Sequence, residues 1–288
     1  MIIQIIIQMI RIKFFCSFAP SDKCKAVFEK INYFNECSFY GKDKQYYFTN
    51  DDGFTHAIII NTAMPILTIP KENVIGLAFE PICFLNLTQQ FIEYAKKHIG
   101  RYFIGDKLDL PEPFVEHFAY MWYSRPSKEI IFKNKIMSII VSEKGFAPGH
   151  LYRHQLVQKI IELNLPIDIY GRGSTKYSYS NRIMGKFNDV EPYETYSFSI
   201  CIENTISNHY FSEKIVTPLM YNCMPIYLGC KNIDKYIENV IQLEGNIQKD
   251  ILLIMGILYN PNKYYRKTFT EKNMKSVNLI ENLPNIFP

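Results

Sequence analysis

The densest run of chemically capable side chains is Cys201-Ile-Glu-Asn-Thr-Ile-Ser-Asn-His-Tyr-Phe-Ser-Glu-Lys-Ile215. An apolar strand leads into Glu203-Asn204, a loop follows, and Ser212-Glu213-Lys214 opens a helix. That spacing carries two carboxylates, an amide, a phenol (Tyr210) and an ammonium to the mouth of a sheet. A helix start offers unpaired N–H groups and a positive dipole end, which suit a phosphate. Lys214 adds a point charge there, and Ser212 is a natural N-cap. The plainer reading is a capped helix with a solvated Glu–Lys pair. Arg153 is the second candidate, early in the helix that follows the apolar strand 135–142. Its planar fork can grip a diphosphate; the plainer reading is a solvent-facing helical Arg. The third is Glu80, in Gly76-Leu-Ala-Phe-Glu80-Pro81. A carboxylate at the end of an apolar strand, partly buried, would have its pKa raised toward general-base use; otherwise it is a turn residue.

Missing patterns narrow the chemistry. No Asp-x-Asp occurs, so the usual carboxylate clamp for a metal-bound sugar nucleotide is lacking. Gly171-Arg172-Gly173 lacks the third glycine of a dinucleotide fingerprint, and there is no P-loop. His150, His154 and His209 have no metal-ligand spacing and read as loop or core residues, so no metal site is expected. The 7 cysteines are scattered, without a C-x-x-C; they read as reduced, buried thiols of a cytosolic protein.

These residues need elements to hold them. The chain has 288 residues, 48% hydrophobic and 21% charged, which is globular and long enough for two domains. A net charge of +4 is too weak for a nucleic-acid-binding face. The apolar run 1–10 is too short to span a bilayer, is followed by Arg11 and Lys13, and reads as a buried strand. Strands are expected at 9–18, 56–61, 73–78, 135–142, 167–170, 196–202 and 224–228. Helices are expected at 20–34, 88–98, 151–163, 211–221 and 247–258, with a loop over 145–150. Such alternation implies βαβ units and parallel sheets, hence two doubly wound domains with a ligand cleft between them. The boundary falls near 124–134, giving domains 1–130 and 131–288. The tail 263–275 mixes Lys, Arg, Tyr and Phe, a composition compatible with peripheral membrane contact.

Taken together the segments resemble the α-1,3-fucosyltransferases, glycosyltransferase family ten. The resemblance rests on Phe198-Ser-Ile-Cys-Ile-Glu203-Asn204, Tyr210-Phe-Ser-Glu213-Lys214 and Pro225-Ile-Tyr-Leu-Gly229. Tyr170-Gly171-Arg172-Gly173, Arg153, Phe79-Glu80-Pro81 and Asn260-Pro-Asn-Lys-Tyr-Tyr265 support it. It covers the C-terminal half throughout and the N-terminal half only around Glu80. It implies a GT-B fold, acceptor domain first and donor domain second, and an inverting, metal-independent transfer of fucose from GDP-fucose to a glycan hydroxyl. Under that resemblance Arg153 and Lys214 hold the diphosphate, and Asn204, Tyr210, Tyr170 and Gly171 line the donor site. Glu213 contacts fucose or ribose, and Glu80 is the general base. Ser212 stands where Thr is common. The chain looks like the short soluble type, and a cytoplasmic location is expected. The alternatives are a related transferase using another nucleotide sugar, and a non-catalytic glycan- or nucleotide-binding module.

Overall fold

The computed structural model describes residues 9–32, 38–127, 129, 131–177 and 180–287. The chain forms two compact units. One comprises Met1–Trp122, Asn208–Tyr210 and Lys275–Pro288; the other comprises Tyr123–Ser207 and Phe211–Met274.

The first unit is built on β1 (Ile10–Cys16), β2 (Tyr46–Phe48), β3 (His56–Ile60), β4 (Val74–Leu77), β5 (Arg101–Ile104) and β6 (Phe114–Glu116). They form a parallel sheet in the order β2-β1-β3-β4-β5-β6. Its helices are α1 (Ser21–Ile31), α2 (Ile82–Leu85) and α3 (Gln89–His98). Ala57-Ile-Ile-Ile60 and Val74-Ile-Gly-Leu77 are buried throughout, as strands covered on both faces must be. Thr88 caps α3 by accepting the Phe91 N–H, and the helix buries Phe91 and Ala95. The strand order reverses between β1 and β3, the switch point where open α/β sheets take ligands.

The second unit contains β7 (Lys135–Ile140), β8 (Ile167–Tyr170), β9 (Ile183–Gly185), β10 (Tyr196–Ser207), β11 (Met224–Cys230) and β12 (Ile241–Gln242). Their order is β12-β11-β10-β7-β8-β9, all parallel. Read from the other edge this is the 3-2-1-4-5-6 arrangement of a dinucleotide-binding fold, with the switch point between β7 and β10. The helices are α4 (Pro148–Glu162), α5 (Glu191–Glu194), α6 (Glu213–Met220), α7 (Ile247–Tyr259) and α8 (Pro261–Tyr264), and α9 (Glu271–Val277) starts in this unit and ends in the first. Met137, Ile139, Leu156, Phe198, Ile226 and Ile254 lie in its core.

Several expectations need correction. Residues 1–8 lie outside the described residues, so the strand expected in the N-terminal run is seen only from Ile10. The segment 145–150, expected as loop, already turns into α4 at Pro148, because proline's fixed φ suits a first helical position. β10 does not end at Ile202 but continues to Ser207, with a register shift against β11; Glu203 and Asn204 are strand residues. The second unit does not hold all of 131–288. The last helix, α10 (Leu279–Ile286), buries Leu279, Ile280, Leu283 and Ile286 and belongs to the first unit. There Arg101 donates to the Asn285 and Ile286 carbonyls, and the Tyr46 hydroxyl donates to the Phe287 carbonyl.

The segment proposed for membrane contact is fastened to the second unit. Tyr265 donates its hydroxyl to the Asn222 carbonyl, the Phe269 N–H is taken by Asn222 Oδ1, and Thr268 is fully buried. No helix among the described residues is long and apolar enough to cross a membrane.

Candidate active site

The site grows from the ends of β7 and β10. The buried residues of α4 include Gly149, Arg153, Leu156, Val157 and Ile160, which fall on one helical stripe. The last three enter the core, and the same stripe carries Arg153 inward at the helix's other end. Arg153 is only 6% exposed, so it is not the solvent-facing arginine of the plainer reading. Its Nη2 donates to the Ile202 carbonyl of β10. Burial pulls the guanidinium below its ordinary value, and the Glu203 carboxylate pushes back.

Glu203 organises the rest. It is 1% exposed and accepts the Ser212 N–H at 2.8 Å. Ser212 Oγ lies 2.9 and 2.8 Å from its two carboxylate oxygens, and Lys214 Nζ is 3.5 Å away. Ser212 Oγ in turn accepts from the Lys214 N–H at 3.3 Å and from Lys214 Nζ at 3.1 Å. One serine therefore joins a buried carboxylate to an ammonium, spending its proton on the first and its lone pairs on the second. Lys214, whose side chain is 25% exposed, also reaches Glu213 at 3.0 Å. Burial pulls the Lys214 pKa down, but Glu213 and Glu203 outweigh it and hold the ammonium above its usual value. Glu213 shows the reverse balance: desolvation raises it, the Lys214 ammonium more than offsets this, and its carboxyl sits below the usual range.

Close backbone approach makes this possible. A Cβ on Gly149 would lie 1.8 Å from the Glu203 carbonyl oxygen, so only glycine lets α4 meet β10 here. Beside it, His150 accepts the Ala147 N–H on Nδ1 at 3.3 Å, and the Asn204 side chain hydrogen-bonds to its ring. Asn204 thus fixes the entry to α4 next to Arg153.

The structure therefore brings Arg153, Asn204, Glu213 and Lys214 together in the second unit. Within that unit it does not open Tyr170 and Gly171 to a ligand. Tyr170 is 2% exposed, and its hydroxyl pairs with Tyr196 at 2.9 Å, inside a core cluster with Tyr193 and Cys223. Gly171 has φ +98°, and a Cβ there would meet the Val141 carbonyl at 2.2 Å. Its N–H is taken by Gly185, so the Gly-Arg-Gly loop reflects packing rather than an open phosphate cradle. The N-terminus of α6 is not an open anion site either: Glu203 takes the Ser212 N–H, and Ser212 takes that of Lys214.

Tyr210 and Glu80 belong to the first unit. Tyr210 is buried beside Gly105, whose added Cβ would fall 2.7 Å from that of Tyr210. Glu80 is half-buried, three residues past β4. It is positioned by Asn61, whose Oδ1 accepts the Phe79 N–H at 2.8 Å and whose carbonyl accepts the Tyr102 hydroxyl at 2.9 Å. Pro81 then diverts the chain into α2. The roles of Glu203 and Asn61 were missed in the sequence. The signal for Glu203 was present: a carboxylate directly after Ser-Ile-Cys-Ile, inside an apolar strand, must be paired.

Arg153 and Lys214 are cations held at a switch point, one buried and one a quarter exposed, with Glu213 exposed at 56% beside them. Such a set can take an anionic group by exchanging a carboxylate for it. Residues 130–251 match the sequence profile described as "Glycosyltransferase family 10 (fucosyltransferase) C-term". A fucosyltransferase-like protein of Arabidopsis thaliana is 32% identical over 85 residues, which are 30% of this chain and 15% of that protein. The match thus spans well under two thirds of that relative. Among solved structures, an alpha1,3-fucosyltransferase with GDP-fucose aligns at 14% identity and TM-score 0.55, covering 97% of this chain and 90% of the other. A TarM variant from S. aureus, with Fondaparinux, alpha-GlcNAc-glycerol and UDP, aligns at 10% identity and TM-score 0.51, covering 80% of this chain and 55% of the other. At these identities the structures establish the fold, which is GT-B, with two Rossmann-like doubly wound units. Residues 130–251, which hold Arg153, Asn204, Glu213 and Lys214, are thus similar to the C-terminal domain of glycosyltransferase family 10.

Proposed function

We propose that the protein is an inverting fucosyltransferase that moves fucose from GDP-fucose to a hydroxyl of an acceptor glycan without a metal ion. The observation that carries this is the Glu203–Ser212–Lys214 chain beside the buried Arg153, within the family 10 domain. Two cations can stabilise the leaving diphosphate in place of a metal, by preorganised charge at the atoms where charge develops. Glu203 cannot leave its buried position, so it keeps Lys214 in place. Glu213 is more exposed and is the carboxylate that a diphosphate displaces from Lys214, leaving it free to meet fucose or ribose. Asn204 lines the nucleotide site through its place beside His150.

In the transfer, the acceptor oxygen attacks the anomeric carbon as the bond to GDP breaks on the opposite face. Glu80 takes the hydroxyl proton, a step worth about 10²–10⁴-fold. The test is to incubate the purified protein with GDP-fucose and a glycan array, with and without EDTA, and to analyse products by mass spectrometry. A fucosylated product formed equally in EDTA is expected. Transfer from a UDP-sugar instead would assign another donor, and nucleotide binding without any product would make the chain a binding module.

A further inference from the structure

The cysteines depart from the expectation of uniformly buried thiols. Cys24, Cys201, Cys223 and Cys230 are buried, but Cys16 is half-buried and Cys83 is exposed. Cys16 is the last residue of β1, beside β3, at the switch point of the first unit's sheet. An open cavity of about 470 Å³ occupies that position, lined by Cys16 together with Phe14, Ser17, Pro20, Thr62 and Met64. Behind Cys16, Cys24 sits in the first turns of α1, fully shielded from solvent. Here β1 packs on α1: Phe14, two residues before Cys16, stacks on Phe28, one turn after Cys24, with ring centroids 5.0 Å apart, which sets the two thiols against each other. The chain thus sets one thiol at the wall of a cavity and a second thiol directly behind it.

We propose that Cys16 and Cys24 form a peroxide-oxidisable pair, in which Cys16 reacts first from the cavity and Cys24 closes a disulfide onto it. In the first step the Cys16 thiolate attacks one peroxide oxygen and the O–O bond breaks. The leaving hydroxide takes a proton to become water; the sulfur is oxidised by two electrons to a sulfenic acid and the peroxide is reduced. In the second step the Cys24 sulfur attacks the Cys16 sulfur, the S–S bond forms and the S–O bond breaks. The departing hydroxide takes the Cys24 proton and leaves as a second water. The charge balance supports this order. The neighbouring Cys24 thiol, opposed by burial and helped by the backbone of Ser17, Phe18 and Ala19, lowers the Cys16 pKa to about 6, while Cys24 is raised by the same partnership and by burial. Cys24 therefore donates its hydrogen to the thiolate and acts only once Cys16 has lost its charge. Cys83 provides a comparison inside the same chain: it is more exposed, but burial and the neighbouring carboxylates raise its pKa.

The test uses the intact protein. At pH 6 Cys16 is about half thiolate, whereas an ordinary thiol is below about 1%. The lower basicity of Cys16 takes back about tenfold of that advantage. Iodoacetamide is therefore expected to alkylate Cys16 about tenfold faster than Cys83 at pH 6. Titration with hydrogen peroxide, followed by non-reducing peptide mapping, is expected to give a Cys16–Cys24 linked peptide before Cys83 is oxidised. In Cys24→Ser the linked peptide is lost and dimedone traps a sulfenic acid on Cys16, at an unchanged melting temperature. Alkylation of Cys83 as fast as Cys16, or peroxide oxidation that leaves the Cys16 and Cys24 peptides unlinked, would overturn the proposal. Both readouts on the wild-type chain are independent of the transferase activity.

Discussion

Gly149 in the first turn of α4 lies against the backbone of Glu203, so closely that an added methyl would stand 1.8 Å from the Glu203 carbonyl oxygen. One turn further along α4, Arg153 donates to the carbonyl of the preceding residue, Ile202. Helix and strand are therefore locked at two consecutive points, and the guanidinium inherits its position from the glycine. Gly149→Ala forces α4 away from β10. The expected cost is about 1–3 kcal/mol, the usual range for overpacking, read as a lower midpoint in urea denaturation. Because Arg153 moves with the helix, GDP affinity by calorimetry should fall as well.

Glu203→Gln keeps the shape of the side chain and removes its charge. Ser212 and Lys214 lose their anionic partner, and the buried Arg153 loses the charge that offsets its desolvation. Breaking a buried pair by removing one member costs about 3–5 kcal/mol; Lys214 is partly exposed, so the low end of that range is expected. Lys214→Ala should leave stability closer to wild type and act on the ligand instead. It weakens GDP binding by about tenfold to a hundredfold, the value of one or two charge-assisted hydrogen bonds. Calorimetry with GDP on both variants separates the two effects. Unchanged affinity in Lys214→Ala would remove it from the phosphate site.

The contrast between Glu203 and Tyr170 shows how far this site could be read in advance. Strand, helix and turn order were legible because apolar runs such as 57–60 and 137–141 alternate with amphipathic segments. Arg153 and Lys214 were legible because charged residues fell just beyond those runs. What pattern could not supply was direction. Tyr170 ends a strand exactly as a ligand-binding residue would, yet its ring turns back into the core to meet Tyr196. Glu203 looked like the first polar residue of a loop, yet β10 continues for four more residues and carries its carboxylate inward. Likewise the return of α10 to the first unit depends on long-range packing with no local signature.

Glu80→Gln tests the proposed general base apart from the residues proposed for the diphosphate. The turn is held by the Asn61–Phe79 hydrogen bond and by Pro81, and Gln keeps the size and the acceptor oxygen of the Glu80 side chain. The variant should therefore fold normally and keep its GDP affinity, while transfer falls by about 10²–10⁴-fold. Asn61→Ala gives the complementary outcome. It leaves the carboxylate in the chain but frees the turn that aims it, so kcat should drop with little change in GDP binding. A Glu80→Gln enzyme turning over at the wild-type rate would exclude Glu80 from proton transfer.

Stability should weaken below neutral pH because His56, His150 and His154 are each held below the ordinary value of 6.5, chiefly by burial. Between their lowered folded values and about 6.5 the unfolded chain binds more protons than the folded one, so stability rises with pH across that window. As pH falls through it, the stabilisation is progressively lost. His150 has a structural reason to stay neutral: its Nδ1 accepts the Ala147 N–H, and Arg153 lies close by. Protonation would remove that acceptor and place a second cation beside Arg153. The melting temperature of the wild-type protein is therefore expected to fall between pH 7.5 and pH 5.5. In His150→Gln, which keeps an acceptor but cannot titrate, the fall should be shallower; an equally steep fall would move the pH dependence to other groups.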